Sequence, residues 1–399
     1  MTIQPAITLI EYVPKLIDKN EIQSDMGEMI WRNYRNQLQI EFPSPKTNQQ
    51  WEITSLGWVG YIPLTKEWGI QLQPKVDLDN IFRMLEYAYD LESFKFYEGL
   101  THCSSLDEFY DRLAKILARR ILDRARKGFY RSYVIEQEQL PYIRGRIDLQ
   151  HMIHRPNNIR LQCQYEDHTA DIEENQILAW TLQQITKSGM CQPQTLPLIR
   201  QAYRTLKTTV TIKPFRPRDC LGRLYNRLND DYQPLHALCR FFLEHSGPSH
   251  KIGDRTMLPF LVNMERLYEL FVARWLKMHL SDHLSLRIQE KIDVGKNNML
   301  SFSIDLVINE THSNRTLCVL DTKYKIPDKP SNTDISQAVT YAKLKECTTA
   351  ILIYPQHLSD PLDEYIGDIR IKSMTFGLGG DLENQGQTFL HKLEHIITP

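Results

Sequence analysis

Two neighbouring stretches, SFSIDLVI (301–308) and CVLDTKYK (318–325), decide how this chain is read. In the first, Ile304, Leu306 and Ile308 alternate with Ser303, Asp305 and Val307. That is the period-two pattern of a strand, and it predicts Asp305 on the face opposite the apolar one. In the second, Asp321 and Lys323 stand two residues apart, so both are expected on one side of a strand. The polar segment NETHSNR (309–315) between them is short enough for an antiparallel hairpin. Such a hairpin brings two carboxylates and an ammonium onto one sheet surface.

That combination suits phosphodiester hydrolysis. Two carboxylates can hold Mg²⁺, a hard cation that prefers oxygen ligands and keeps several waters. The metal lowers the pKa of a bound water and screens the scissile phosphate. A lysine beside it orients that water or offsets charge in the transition state. A structural ion pair is the competing reading of the same residues. An acid within an apolar strand is costly unless paired, and Lys323 alone would meet that need.

Outward from the hairpin, the periodicity predicts a long amphipathic helix over 261–280 (LVNMERLYELFVARWLKMHL) and a strand at LRIQEKI (286–292). Downstream come a helix at 333–346 (TDISQAVTYAKLKE), a strand at TAILIYP (349–355) and a β-like run, IRIKSMTFGL (369–378). The order αβββαβ is an α/β unit.

The preceding chain is of two kinds. ITLIEYV (7–13), LQIEF (38–42), WEITSLGWVGYIPL (51–64) and WGIQLQPKV (68–76) are short β-branched or aromatic runs, so the first 76 residues read as β-rich. Helical spacing then takes over at 77–91 and at 105–130, where a Ser-x-x-Glu box (Ser105, Glu108) marks a start. A strand is expected at IRGRIDL (143–149) before a turn near 154, and helices at 171–188, 194–209 and 235–246. The polar stretch 247–256 is the linker candidate. The expected organisation is α+β multidomain: a β-rich N-terminal region (1–80), a mainly helical region (81–250) and a C-terminal α/β domain (251–399).

Composition narrows the function classes. Forty-eight Lys+Arg against 49 Asp+Glu leave a net charge of −1, so nucleic-acid contacts must come from local patches. Candidates are the helix end at 115–131, the Arg144/Arg146 pair, and Arg216, Arg218, Arg223 and Arg227. Seven scattered cysteines without a CxxC pair argue against a zinc ribbon or a disulfide framework. No stretch approaches the length of a membrane span, and the N-terminus lacks the charged-then-apolar pattern of a signal peptide. A soluble, cytoplasmic protein is expected. His391, Glu394 and His395 spell H-x-x-E-H, but a zinc protease needs a further acidic ligand well downstream. The triplet reads as coincidence on a terminal helix.

The core around Asp305, Asp321 and Lys323 resembles that of PD-(D/E)xK (restriction-endonuclease-like) nucleases, with Ile304 where that motif usually has Pro. More narrowly, the chain resembles the McrC family, the nuclease subunits of McrBC-type modification-dependent restriction systems. The matching features are GYIPL and GIQLQPKV (60–76), FRMLEYAYDL (82–91), IRGRIDL, YEDHTADIEENQIL (165–178), MERLYELFVARWL (264–276), the Asp/Asp/Lys core, and QAVTYA then LIYP (337–355).

The resemblance implies a Mg²⁺-dependent DNA endonuclease of anti-phage defence, with Mn²⁺ able to substitute and double-stranded DNA as substrate. It implies an AAA+ GTPase partner, McrB-like and ring-forming, on which the N-terminal region docks and whose GTP hydrolysis it stimulates. The chain contains no GxxxxGK[ST] loop, so no nucleotide is expected to bind to it. Asp305 and Asp321 are the implied metal ligands and Lys323 the implied catalytic ammonium. Glu269, or Glu265 one turn earlier, is the implied helix acid near the metal, and Gln337 and Tyr341 are the implied DNA-contacting or buttressing pair. Two rivals remain: a non-catalytic assembly factor that activates the GTPase ring, and a stand-alone nuclease of DNA repair or phage origin.

Overall fold

The computed structural model of the chain describes residues 7–64, 69–76, 78–89, 105–147, 160–247, 250–252, 255–257, 259–295, 299–325 and 327–397. Along the N-terminal stretch run β1 (Ile7–Ile10), β2 (Lys15–Ile17), α1 (Ser24–Tyr34), β3 (Leu38–Glu41), β4 (Trp51–Ser55), β5 (Trp58–Pro63), β6 (Gly69–Gln73) and α2 (Leu78–Tyr89). Then come α3 (Leu106–Lys127), β7 (Ser132–Leu140), β8 (Arg146–Ile147), β9 (Leu161–Thr169), α4 (Glu173–Ser188), α5 (Leu196–Lys207) and α6 (Tyr232–His245). They are followed by β10 (His250–Ile252), β11 (Arg255–Met257), β12 (Phe260–Asn263), α7 (Met264–His279), β13 (Leu284–Val294), β14 (Leu300–Glu310) and β15 (Thr316–Thr322). The last are α8 (Asn332–Leu344), β16 (Thr349–Tyr354), β17 (Asp363–Ile366), β18 (Ile369–Thr375) and α9 (Leu382–Ile397).

These elements form two compact units in place of three consecutive segments: Asp107–Phe260 is one, and the chain up to Leu106 joins Leu261–Pro399 in the other. The β-rich start is therefore built into the same unit as the C-terminal α/β region. Its sheet, ordered β1-β6-β5-β12, takes its last strand from beyond the polar stretch read as a linker. Ile7, Leu9, Ile62, Ile70, Leu72 and Leu261 from that sheet share one core with Ile30 and Tyr34 of α1 and Trp51 and Ile53 of β4. Part of the linker candidate (248–249 and 253–254), the end of IRGRIDL (148–149) and the turn near 154 lie outside the described residues.

The six-stranded sheet β13-β14-β15-β16-β18-β17 carries the hairpin. β14 runs antiparallel to both of its neighbours, β13 and β15; β15 and β16 are parallel, joined through α8. The alternation read across 303–308 holds only at the start of β14. Leu306, Val307 and Ile308 are all fully buried, because both faces of the sheet are covered there. Val307 and Val319 pack with Ala338, Tyr341 and Ala342 of α8, together with Ala350, Leu352 and Ile371.

Several elements escaped the sequence reading, among them α1, β7 and β9. Helix α1 lies in the stretch read as β-rich; its buried Gly27, Ile30 and Tyr34 have helical spacing, but its N-cap Gln23 makes no side-chain capping bond. Strands β7 and β9 pair over their full length within the region read as mainly helical, and IRGRIDL contributes only the two-residue β8 to their sheet. β7 is mostly exposed, so it lacks a strong alternating signal. Leu261–Asn263, read as helix, extends β12 instead, and Asn263 caps α7 by accepting from Arg266 N at 2.9 Å.

Trp275 of α7 anchors the packing of α9. It is fully buried, stacks on His279 at 4.0 Å and donates Nε1 to Glu383 Oε2 at 3.1 Å. A Cβ at Gly386 would come within 2.3 Å of its indole ring. Gly386→Ala is therefore expected to destabilise the protein by about 1–3 kcal/mol, the usual range for overpacking. Chemical denaturation reads this as an earlier midpoint; an unchanged midpoint would mean that α9 packs differently.

Candidate active site

Register places the two carboxylates. Leu306 pairs with Leu320 and Val307 with Val319, so one further step sets Asp305 against Asp321 across the antiparallel ladder. Directly opposed residues share a face. The Thr between the second carboxylate and the lysine locks the first one: Thr322 donates both its backbone N–H and its Oγ1 hydroxyl to Asp305 Oδ2, each at 2.9 Å. Asp321 is buried, with its Oδ2 atom 2.7 Å from Lys323 Nζ. That contact is a close ion pair.

Lys323 lies just beyond β15, not within it, yet its backbone N–H still donates to Ile353 O of β16 at 2.8 Å. Its ammonium also donates to Gln337 Oε1 at 3.1 Å, and Gln337 Nε2 donates to Tyr341 OH at 2.6 Å. One polar line thus runs from Asp321 through Lys323 and Gln337 to Tyr341, one turn further along α8. Behind it, Lys325 Nζ pairs with Asp334 Oδ2 at 2.6 Å, and Asp334 belongs to the Ser331 capping box that starts α8.

The two helix acids separate. Glu269 is held by Arg266 Nη1 at 3.2 Å and by Gln289 Nε2 at 2.7 Å, and the charge of Asp305 acts on it. Glu265 turns elsewhere and accepts from Tyr12 OH at 3.3 Å. The β13–β14 register, Ile288 to Leu306 and Glu290 to Ile304, puts Gln289 across from Asp305. Gln289 has a left-handed φ of +50°, uncommon for a residue inside a strand.

Electrostatics follow from crowding acids in a dry place. Burial, then the neighbouring Asp305, push the Asp321 carboxyl up to about 7, against the opposing pull of Lys323. Burial and Asp305 likewise raise Glu269, with Arg266 and Gln289 opposing. For Lys323, burial works against the ammonium, but Asp321 outweighs it and the net direction is upward. A buried carboxyl whose proton affinity a neighbouring carboxylate raises belongs to an oxygen donor set that a hard divalent cation would relieve. Among the described residues, no three His, Cys, Asp or Glu side chains are grouped closely enough to hold a metal by themselves. Glu269 is near the pair without completing such a cage.

The other sequence candidates have partners of their own. Arg144 pairs with Asp167 at 2.8 Å and lies over the Tyr165 ring at 3.7 Å, while Arg223 pairs with Glu173 at 2.7 Å. Arg124 and Arg126 are paired with Asp231 and Asp123. These arginines are engaged within their own unit. His391 and His395 meet edge to face at 4.5 Å, and Glu394 accepts from Ser281 Oγ, so the H-x-x-E-H triplet is part of α9's packing. Thr322 and Gln289 were the site residues that sequence reasoning missed. Only Thr322 had a signal, its place inside the Asp-Thr-Lys triplet.

An acidic pair and an ammonium thus meet at the open end of a hairpin on a multidomain α/β chain. The family model described as McrBC 5-methylcytosine restriction system component matches residues 53–355, and the chain belongs to that family. It is 23% identical over 266 residues to the type IV methyl-directed restriction enzyme EcoKMcrBC of Escherichia coli (strain K12), covering 63% of this chain and 74% of that protein. In fold it is similar to a chain of the half-complex from the tetradecameric assembly of Thermococcus gammatolerans McrB AAA+ hexamers with bound McrC. That likeness has a TM-score of 0.54 at 15% identity and covers 97% of this chain and 99% of the other. No described helix is long and apolar enough to cross a membrane.

The raised Asp321 carboxyl has a measurable consequence. Its folded-state pKa lies above its unfolded value, so the folded state keeps a proton that the unfolded state releases. Stability is therefore lost as pH rises from about 4 to about 7. In EDTA, Asp321→Asn should flatten the fall in unfolding free energy between pH 5 and pH 8. Identical slopes for variant and wild type would show that Asp321 is ionised throughout.

Proposed function

We propose that this chain is the DNA endonuclease subunit of a GTP-dependent, modification-dependent restriction complex, cutting at Asp305, Asp321 and Lys323. The observation that carries the reading is the convergence of two opposed strand carboxylates with an ammonium, on a chain of the McrBC family. The αβββαβ order of the sheet and its helices is in keeping with a PD-(D/E)xK domain, the finer class proposed for this region.

Mg²⁺ is the proposed cofactor, with Mn²⁺ able to replace it; Asp305 and Asp321 would hold it, and Glu269 would serve as a further acid nearby. Bound there, the metal supplies Lewis-acid stabilisation of phosphate charge and makes water a better nucleophile near neutral pH. The rest is done by the chain. Thr322 fixes one carboxylate oxygen of Asp305 through two hydrogen bonds, which leaves the other oxygen to face outward. Gln337 and Asp321 hold the Lys323 ammonium between them, so it is placed without searching rotamers. From there it orients the attacking water or offsets charge on the phosphate. Tyr341 buttresses Gln337, and this pair is proposed to lie against the DNA.

The partner is proposed to be a ring-forming, McrB-like AAA+ GTPase that this chain docks on and stimulates. A relative of the same fold is described as bound to McrB AAA+ hexamers. The docking surface is proposed to lie within the region read as 81–250. There Tyr133, Ile135, Tyr142, Ile143 and Leu224 are large apolar side chains more than half exposed, the kind of surface that a partner covers.

Cleavage of modified double-stranded DNA by the chain mixed with its GTPase partner, GTP and Mg²⁺ tests the reading. Asp305→Ala and Asp321→Ala should each lose cutting while still raising GTP turnover by the partner. Lys323→Arg and Lys323→Ala should both be almost inactive, because a displacement of about 1 Å at a reacting group costs about 100-fold. Wild-type cutting by any of the four variants would remove the centre from these residues. Loss of GTPase stimulation together with cutting would show general misfolding instead.

A further inference from the structure

Gln289 is strained at a place where the sheet does not require it. It lies exposed at the middle of β13, yet its φ is +50°, a left-handed conformation that is costly for a residue with a side chain. In a strand such a residue often marks a bulge, where one extra residue shifts the register. β13 has no such shift at this point. Leu286 pairs with Ile308, Ile288 with Leu306, Glu290 with Ile304 and Ile292 with Phe302, one register on both sides of Gln289. The pairing passes over Gln289 at the step across from Asp305.

The end of the side chain is what this conformation serves. Gln289 Nε2 donates to Glu269 Oε1 at 2.7 Å, and Gln289 Oε1 accepts from Arg266 Nη2 at 3.3 Å. Arg266 Nη1 donates to both oxygens of Glu269 at 3.2 Å. The three side chains close a ring, so the amide has one orientation and the Glu269 carboxylate is gripped from both α7 and β13. An Arg–Glu pair three residues apart on a helix forms without help from a strand. Here a strained strand residue is added to it, and the charge of Asp305 acts on the acid that they hold.

We infer that Gln289 is a positioning residue of the cleavage centre: with Arg266 it holds Glu269 beside Asp305 as an acid that meets the cation through water. This role rests on the nuclease reading above and specifies how Glu269 takes part in it. Both Glu269 oxygens already accept hydrogen bonds, and among the described residues Glu269 completes no three-ligand cage with the two aspartates. Mg²⁺ keeps several of its waters, and these offer hydrogens to such a carboxylate. Partners of this outer kind orient what they touch, and losing one typically costs about 10–100-fold in metal affinity or activity. A clamp that merely fastens α7 to β13 is the competing account. Its removal would lower stability and metal affinity together.

The test is Mn²⁺ binding to the full chain by calorimetry, with chemical denaturation of the same variants in EDTA. Gln289→Ala removes the amide and keeps the Cβ that makes the left-handed φ costly; Gln289→Gly removes both. Both should bind Mn²⁺ about 10-fold more weakly than wild type, although the glycine variant unfolds no earlier than the alanine variant. Glu269→Gln should weaken Mn²⁺ to a similar degree. Adding Gln289→Ala to it should weaken binding no further, because Gln289 acts through Glu269. Unchanged affinity in both Gln289 variants, or additive losses in the double variant, would overturn this role and leave the cleavage centre standing. Affinity that follows the denaturation midpoint from variant to variant would show a structural clamp and overturn it as well. Asp305→Ala tests the centre itself: it should abolish Mn²⁺ binding, and retained binding would overturn the cleavage centre and the role of Gln289 with it.

Discussion

The β14–β15 register is the constraint on which the site depends. Opposing Asp305 to Asp321 puts two carboxylates on one face, where burial and then Asp305 push the Asp321 carboxyl upward. A slip of one residue would turn Asp321 to the other face. The register is held by apolar pairs, Leu306 with Leu320 and Val307 with Val319, all buried between helices. Thr322 then ties the hairpin's end to Asp305 through two hydrogen bonds. Packing thus sustains an electrostatic arrangement that would not persist by itself.

Around that pair, the surroundings compensate only in part. Lys323 faces Asp321, Arg266 and Gln289 hold Glu269, and Lys325 neutralises Asp334. Asp321 remains buried against the Lys323 ammonium. A buried acid kept in this state is a weak contributor to stability. It is better explained by chemistry, since perturbed carboxylates concentrate where charge is to be handled.

Much of this was legible in the sequence. The hairpin, the crossover helix α8 and the strands after it follow from period-two and period-3.6 patterns in long, well-punctuated segments. The convergence of Asp305, Asp321 and Lys323 followed from parity alone. Tertiary context hid the rest. No local pattern shows that residues before Leu106 fold together with those after Leu261, because that unit is assembled from distant stretches. Gln289 gave no hint of facing Asp305, since its role comes from register and a left-handed backbone. Glu11 read as part of a short strand, and its burial depends on Tyr324, more than three hundred positions away.

The most direct measurement is an anomalous difference map from crystals of the full chain grown with Mn²⁺. A peak bridging the carboxylates of Asp305 and Asp321, with the Lys323 ammonium alongside, is the expected result. Mn²⁺ bound elsewhere while these two carboxylates remain bare would contradict the assignment of this hairpin as the hydrolytic centre.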